Sequence, residues 1–473
     1  MNEEKRLAFR RGYVLLPVGT NPPPAVESWQ HERLGRIDAY LHPDLEWQRS
    51  MCAGAQALVL GHINDLDSPA NSSAVIANEI ARRAGAAGLR DALDYVAYLG
   101  GRYLVVLVLP TETVVVGDAT GSRAAFSAVR DREWAVASHS VLAALALDRA
   151  PDSTARDIVL NESYISPGGK YYPALLTPFE GVRPVIANCY FSISLTGQTS
   201  HNRFYPRVEV RPSADLDETY NQWWAQFRLS AQLSAQHPEV GISLTAGLDS
   251  RMTLHAVGER LAKRGGFATT YHRFGGNSDS AVEDVVRANE LAYSFRLPHR
   301  VVDIRTFDGF SSSEERAYAE TFPRGAQFPS RAVAYMRAMM GGERLLFSTV
   351  AEIGTVFYKE RENSAIHPAW LSGKFSTSPI RNDPRVLSAF EEYIDYTQMS
   401  HEVLHGLDVN DLFYWEHRNT KWAAVWYSEC DLGHDVGLPF NNRRIIELML
   451  SLPRPERENK YLFRRRLDER HRL

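Results

Sequence analysis

A run of small and polar residues, Ser243-Leu-Thr-Ala-Gly-Leu-Asp-Ser250, begins at the end of a short apolar stretch at positions 240–244. The apolar stretch is typical of a strand, and a helical pattern starts directly afterwards, at position 249. The turn of such a unit presents backbone N–H groups and the positive end of a helix dipole, which together bind anions. Small residues let a phosphate group approach the backbone. We therefore predict that the phosphates of a nucleotide bind at Ser243, Leu244, Thr245, Ala246, Gly247, Leu248, Asp249 and Ser250.

Asp249 is the acidic member of this run. A carboxylate repels phosphate unless a cation lies between them, so its position indicates a Mg²⁺ ligand. The alternative is an ordinary strand-turn-helix junction in which Asp249 or Ser250 caps the helix. The residues alone leave both interpretations open.

The elements around the loop alternate between strand and helix. Helices are predicted at 215–236 (with Asp215 as N-cap), 249–261 and 280–295, and strands at 240–244, 267–274 and 299–304. Such a β-α-β-α-β order predicts a parallel sheet covered by helices. The remainder, to residue 473, is mostly helical and rich in aromatic residues.

The first part of the chain has a different texture. Strands are predicted at 57–61, 103–109, 113–116, 134–138 and 190–194, with a helix at 73–86. At 196–215 the composition changes to Gly, Ser, Asn, Pro and charged residues, so we place a boundary there. A chain of 473 residues is too long for one core, and we expect two domains, 1–210 and 211–473.

Net charge, hydropathy and cysteine content limit the classes of function that the chain can have. The formal net charge of −4 argues against a dedicated nucleic-acid binder, and no apolar run is long enough to span a bilayer or act as a signal peptide. Three widely spaced cysteines, Cys52, Cys189 and Cys430, indicate a reducing compartment. We expect a cytoplasmic protein without membrane or nucleic-acid partners.

The loop resembles the Ser-Gly-Gly-Leu-Asp-Ser loop of the asparagine synthetase family, and departs from it at Thr245 and Ala246. Further motifs are similar to that family: Asp284-x-x-x-Ala288, Leu297-Pro-His299, Glu416-x-Arg418-x-x-x-Trp422, Leu438-Pro-Phe440 and Lys460-Tyr-Leu-Phe-Arg464. In the first part, 101–106, 117–123, 137–138 and 177–182 resemble the family's amidotransferase domain. The resemblance implies an N-terminal Ntn-hydrolase-like α/β/β/α sandwich and a C-terminal parallel-sheet α/β ATP-pyrophosphatase domain with added helices.

The resemblance also implies roles for single residues. Lys460 would reach the reacting carboxylate and phosphate. With the phosphates of ATP over residues 243–250, we expect adenine to lie against the strand that ends at Arg273 and Phe274. In the segment 347–354, only Ser348 and Glu352 correspond to the family's Ser-Gly-Glu-Gly-x-Asp-Glu motif. This implies a nucleotide contact for Ser348, and Glu352 would join Asp249 as a Mg²⁺ ligand.

Asn2 stands where a glutamine-using member of the family has its nucleophilic cysteine. We therefore expect an N-terminal domain without glutaminase activity, as in β-lactam synthetase and lasso-peptide macrolactam synthetases. The expected activity is ATP-dependent amide formation with ATP and Mg²⁺, in which a substrate carboxylate is adenylated and then attacked by a substrate amine. The expected partner is a small-molecule or peptide substrate, and a homodimer remains open.

Two other functions stay open at this point. One is a non-catalytic scaffold, since the loops at 245–246 and 349–353 are altered. The other is a zinc hydrolase, because His401-Glu402-Val403-Leu404-His405 would place two histidines on one face of a helix. A basic stretch formed by Arg454, Arg457 and residues 464–466 is either a solvated surface or a phosphate-neutralising group.

Overall fold

The computed structural model describes residues 3–68, 72–166, 169–272, 279–304, 309–323, 329–339, 341–360 and 365–471. Its first part holds two six-stranded antiparallel sheets, with strand orders β10-β8-β9-β1-β3-β2 and β12-β11-β7-β6-β5-β4. The strands are β1 Tyr13–Pro17, β2 Gln30–Leu34, β3 Ile37–Leu41, β4 Trp47–Cys52, β5 Ala55–Asn64, β6 Gly100–Val108, β7 Glu112–Gly117, β8 Phe126–Arg130, β9 Glu133–Ala137, β10 Val182–Pro184, β11 Cys189–Ser194 and β12 Thr199–Arg203.

Alternating side chains build the layers of this part. In β1, Tyr13 and Leu15 join a buried cluster shared with the second sheet, whereas Val14 and Leu16 pack with helix α4 on the other side. The outer face of the second sheet is covered by α2 and α3. The helices of this part are α1 Glu3–Leu7, α2 Ser73–Ala87, α3 Leu89–Ala97, α4 Ser140–Ala146 and α5 Ser153–Leu160. The layers therefore follow the expected α/β/β/α order.

The second part contains the predicted parallel sheet. Its five strands lie in the order β15-β14-β13-β16-β17, and every neighbouring pair is parallel. They are β13 Val240–Ser243, β14 Phe267–His272, β15 His299–Asp303, β16 Arg344–Leu346 and β17 Asp435–Gly437. The sequence patterns predicted β13, β14 and β15, whereas β16 and β17 were not foreseen. The mixed α/β architecture is thus confirmed.

Helices surround this sheet. They are α6 Leu216–Ser234, α7 Leu248–Lys263, α8 Asp279–Ser294, α9 Ser312–Thr321, α10 Pro329–Ala338, α11 Pro368–Phe375, α12 Pro384–Tyr396, α13 Val409–Phe413, α14 Ala424–Cys430, α15 Arg443–Leu450, α16 Arg454–Glu458 and α17 Tyr461–His471. A π-helical segment, Tyr414–Ala423, joins α13 to α14, and 3-10 segments lie at Pro24–Val26, Thr349–Thr355 and Pro379–Asn382. Within the described residues, no helix is both long and apolar enough to cross a membrane.

Buried polar contacts join the two parts of the chain. Arg102 of β6 donates hydrogen bonds from its two terminal nitrogens, Nη1 and Nη2, to the Asp431 carboxylate at 2.7 and 2.8 Å, and both side chains are buried. Arg203 of β12 forms a second buried ion pair with Glu416. The largest hydrophobic cluster includes residues from both parts, so their apolar interiors are continuous there, whereas a separate cluster lies between the two sheets of the first part.

Candidate functional site

The loop at 243–250 lies at the carboxyl end of the central strand of the parallel sheet. After β13, the next two strands in the chain, β14 and β15, lie on one side of β13 in the sheet. The following strand, β16, lies on the opposite side of β13. The strand order therefore reverses between β13 and β16, which leaves a crevice outside their carboxyl ends. Ligands bind to open parallel sheets at such crevices, and here the crevice is bordered by the loop and by the segment that follows β16.

Hydrogen bonds within the loop hold its shape. The Thr245 amide donates to Ser250 Oγ at 3.1 Å, and the Gly247 amide donates to Thr245 Oγ1 at 3.1 Å. Gly247 is the N-cap of α7, and no side chain caps the helix there. The first N–H groups of a helix have no acceptor within the helix. The alternative that Asp249 or Ser250 caps α7 is therefore wrong, and the helix N-terminus has the geometry of an anion site.

Lys460, directly before α17, contacts Asp249 of the loop. Its Nζ donates to Asp249 Oδ1 at 2.9 Å, although the two residues are 211 positions apart. The side chains are 31% and 23% exposed, so a ligand in the crevice can reach both. Lys460 adopts φ +53°, a left-handed backbone that costs energy in a non-glycine residue. The fold thus holds this lysine in a strained conformation directly before α17.

Glu352 lies on the other border of the crevice, in the 3-10 segment after β16. It accepts a hydrogen bond from the Tyr414 hydroxyl. Burial raises the pKa of Glu352 above its ordinary value, and the charge of Asp249 raises it further. The hydrogen bond from Tyr414 and the positive charge of Lys460 act in the opposite direction. Glu352, Asp249 and Lys460 therefore lie within electrostatic reach of one another.

The remaining predicted residues have different positions. Ser348 is buried beneath the loop, and its Oγ lies 2.7 Å from Thr253 Oγ1 of α7. It connects the segment after β16 to the helix after β13. Ser243 ends β13, and Leu244 is fully buried. Arg273, Phe274 and Asn2 lie outside the described residues, so the predicted adenine contact does too.

Three further side chains reach this region without having been predicted as site residues. Asp284 of α8 accepts a hydrogen bond from the Ala246 amide, so it holds the loop from the side of α8. Tyr414 and Arg418 lie on the π-helical segment, a local geometry that is frequent at functional sites. Their sequence spacing is compatible with core packing, and only the tertiary fold brings them to Glu352.

Arg418 is half-buried among aromatic rings. Its guanidinium carbon lies 4.6 Å from the Trp422 ring centroid and 5.4 Å from that of Phe357, distances of cation–π contact. Among the described residues, its Nε has no hydrogen-bond partner. This Nε is shielded from solvent, and the guanidinium group also forms a hydrogen bond with the Tyr171 side chain. Arg418 therefore contributes positive charge that acts on Glu352.

Asp249 and Glu352 are the pair that fits a divalent cation. Oxygen ligands suit Mg²⁺, which usually takes one or two carboxylates together with substrate phosphates and water. A cation between them would offset the repulsion that contributes to the raised pKa of Glu352. No cluster of three or more potential ligand side chains of the His, Cys, Asp and Glu types occurs in the described part of the chain.

The segment His401–His405 is not helical. Residues 401–406 form consecutive turns, and His405 has φ +48°. The predicted placement of both histidines on one helix face is therefore wrong, because the chain turns between α12 and α13 at this point. The basic C-terminal stretch is also engaged elsewhere, in the ion pairs Arg454–Glu458, Arg457–Asp411, Arg465–Asp217 and Arg466–Glu469.

Comparisons with known proteins give weak similarities. Neither the protein-family models nor the curated proteins contain a match to this chain. Among solved structures, glutamine phosphoribosylpyrophosphate amidotransferase from B. subtilis, complexed with ADP and GMP, is 12% identical, with a TM-score of 0.25 over 82% of this chain and 74% of that one. A structure of the allosteric regulatory enzyme of purine biosynthesis gives the same identity and TM-score over 82% and 73%. Scores this low carry no conclusion about fold or activity.

Proposed function

We propose that this protein is an ATP-dependent ligase that adenylates a substrate carboxylate and joins it to a substrate amine. The observation that carries the proposal is the convergence of Asp249, Lys460 and Glu352 on one uncapped helix N-terminus at the strand-order reversal. The resemblance of the loop and of the Lys460 segment to the asparagine synthetase family supports the same reaction class.

The loop would bind the phosphates of ATP. The first-turn amides of α7 lack side-chain caps, so they can donate to phosphate oxygens. Asp249 and Glu352 would hold Mg²⁺, whose charge offsets that of the phosphates. Gly247 lies where the chain turns into the helix, and a Cβ there would come within 3.0 Å of Thr245 Oγ1. A larger residue would crowd the loop that the phosphates approach.

The reaction then has two steps. A carboxylate oxygen of the substrate attacks the α-phosphorus of ATP, and the bond to pyrophosphate breaks. The amine attacks the acyl carbon, AMP leaves, and the amine nitrogen loses a proton to give the amide. Lys460 would stabilise the negative charge that develops on the phosphate in the first step and on the tetrahedral intermediate in the second.

Arg418 is the side chain best suited to hold the substrate carboxylate. Guanidinium and carboxylate groups form paired hydrogen bonds, and the positive charge of Arg418 acts on Glu352 at the border of the crevice. The surrounding rings of Trp422 and Phe357 would exclude water from this contact.

The amine is proposed to come from the substrate and not from glutamine. Glutamine hydrolysis in this class requires a thiol nucleophile. Cys189 and Cys430 are buried, and burial raises the pKa of each thiol to about 12, so neither forms a thiolate readily. The half-buried Cys52 ends the edge strand β4, which is not the position that the resemblance gives to the nucleophile. Incubation with glutamine and ATP should release no glutamate, and glutamate release at a rate comparable to ATP consumption would contradict this part of the proposal.

Binding of a non-hydrolysable ATP analogue tests the site without knowledge of the substrate. Calorimetry should show saturable binding with Mg²⁺, and Asp249→Asn should weaken it more with Mg²⁺ than without. Glu259→Gln, on the exposed face of the same helix, is the matched control and should bind like the wild type. Absence of analogue binding to the wild type would favour the non-catalytic scaffold, and bound zinc with peptide cleavage would favour a metal hydrolase.

A further inference from the structure

A second cavity lies between the N-terminal layers and the parallel sheet. Its volume is about 440 Å³, within the range of small-molecule sites. Arg10, Arg11 and Arg123 line it from the first part of the chain, and Gly341 and Asp435 line it from the second. With Arg6, four arginines thus share the lining with the three carboxylates of Asp44, Glu46 and Asp435 where the two parts meet.

Two of these arginines lack an acidic partner. Within the described residues, Arg11 donates to the carbonyl oxygens of Asp431 and Gly341, at 2.5 and 3.0 Å. Arg123 donates to the carbonyl oxygens of Arg102 and Arg11, at 3.4 and 3.3 Å. Both residues are more than nine-tenths buried. Their direct partners are thus carbonyl oxygens, and the charges of Asp431 and Asp435 act on Arg123 without a direct ion pair.

The carboxylates nearby are already shared. Asp44 pairs with Arg10 at 2.8 Å, Asp435 pairs with Arg344 at 2.5 Å, and Glu46, which also lines the cavity, pairs with Arg344 at 3.3 Å. Although burial alone would raise it, the pKa of Asp435 is held well below its usual range by four arginines, Arg344, Arg11, Arg123 and Arg102. Burial lowers the pKa of Arg123, and the charge of Arg102 lowers it further, although the charges of Asp431 and Asp435 act in the opposite direction.

The cavity is remote from the crevice of the proposed ATP site. Arg344 begins β16 and Asp435 begins β17, whereas the loop at 243–250 and Glu352 follow the carboxyl ends of β13 and β16. Because the strands are parallel, the cavity lies at their amino ends and the crevice lies at their carboxyl ends. The cavity is therefore a separate site, and its properties do not depend on the proposed reaction.

We propose that this cavity binds a small molecule through a phosphate group, by means of Arg11 and Arg123. Guanidinium groups match phosphate oxygens with paired hydrogen bonds, and a dianion would supply the direct ionic partner that Arg11 and Arg123 lack. The volume leaves room for a phosphate ester as well as for free phosphate. Since the lining comes from both parts of the chain, the bound molecule would also tie these parts together.

Titration of the full chain with three probes at constant ionic strength tests the proposal. The probes are ribose 5-phosphate, inorganic phosphate and citrate, followed by calorimetry and by thermal unfolding. We expect saturable binding and a raised Tm with ribose 5-phosphate. If inorganic phosphate binds with the same affinity as ribose 5-phosphate, the phosphate group alone accounts for binding, and this result also supports the site. Binding of citrate alone, or of none of the three, would overturn it.

Charge reversal at the rim provides variants that keep the core intact. Arg6 lines the cavity with a side chain that is 62% exposed, and neighbouring Lys5 on the same helix does not line it. Arg6→Glu should weaken phosphate binding about tenfold by repulsion, whereas Lys5→Glu should change it much less. Arg123→Gln should abolish the binding, with circular dichroism as the check of folding. Equal effects of Arg6→Glu and Lys5→Glu would show general surface attraction and would refute the assigned site.

Discussion

Lys460 is the residue on which the proposed chemistry depends most directly. Its ammonium contacts Asp249 in the ligand-free chain and would face phosphate and acyl oxygens in the reaction. A preorganised donor of this kind contributes about 3–4 kcal/mol to the transition state, so Lys460→Ala should reduce kcat by about a hundredfold or more. ATP turnover measures the effect. Lys263→Ala, an exposed lysine at the end of α7, is the control and should retain full activity.

The pH dependence of activity reports on Glu352. If its ionised form is required, activity rises with pH through the pKa of Glu352, which burial places above the ordinary glutamate value. The Tyr414 hydroxyl stabilises the ionised form and lowers this pKa. Tyr414→Phe should therefore shift the acid limb of kcat/KM to higher pH. An unchanged limb, or a shift to lower pH, would contradict the assignment.

The sequence identifies some site residues and not others for a physical reason. Asp249 lies in a local motif and Lys460 in a recognisable segment, so both could be predicted. Asp284, Tyr414 and Arg418 join the site only through long-range packing, and the π-helical geometry of Tyr414–Ala423 changes the ordinary helical spacing. Their contribution could not be read from composition or periodicity.

At the scale of elements, the 3-10 segment Thr349–Thr355 carries Glu352 and packs against α15. A Cβ on Gly354 would lie 2.5 Å from Met449 Cβ of α15, a distance that side-chain rotation cannot relieve. Gly354→Ala should therefore displace the segment and destabilise the protein by about 1–3 kcal/mol, measured by urea unfolding. Mg²⁺-dependent ATP-analogue binding should weaken as well.

Gly373 in α11 provides the matched control. A Cβ there meets no atom within 4 Å, so Gly373→Ala should be neutral or slightly stabilising because alanine favours a helix. Destabilisation by Gly373→Ala to the same extent as by Gly354→Ala would show that close packing under Glu352 is not the cause.

Of the seventeen strands in the described residues, eight could be predicted because apolar periodicity marks them, whereas β1 to β4, β8, β10, β12, β16 and β17 were not. The hairpin β6–β7 and the units β13-α7-β14-α8-β15 appear where the pattern placed them, and Asp215 caps α6 with bonds to two backbone amides. The strands β16 and β17 have three residues each, too short for a periodic signal. β12 lies at a sheet edge and consists of Thr-Ser-His-Asn-Arg. Because none of these residues is strongly apolar, the strand has no alternating apolar pattern.

At the scale of the whole molecule, buried ion pairs hold the two parts of the chain together. Asp431→Asn removes the counter-charge of the buried Arg102 guanidinium and should cost about 3–5 kcal/mol of stability. The exposed pair Arg183–Glu392 offers a control, and Glu392→Gln should cost less than about 1 kcal/mol. Urea unfolding compares the two, and equal effects would contradict a stabilising role for the buried pair.

The products of ATP cleavage distinguish adenylation from other ATP-dependent reactions, and phosphorus NMR of a reaction mixture identifies them. The protein is incubated with ATP, Mg²⁺ and a panel of compounds that carry a carboxylate and an amine. The proposal predicts AMP and pyrophosphate in equal amounts, with formation reduced about a hundredfold or more by Lys460→Ala. Formation of ADP and phosphate, or equal ATP consumption by the wild type and the variant, would contradict it.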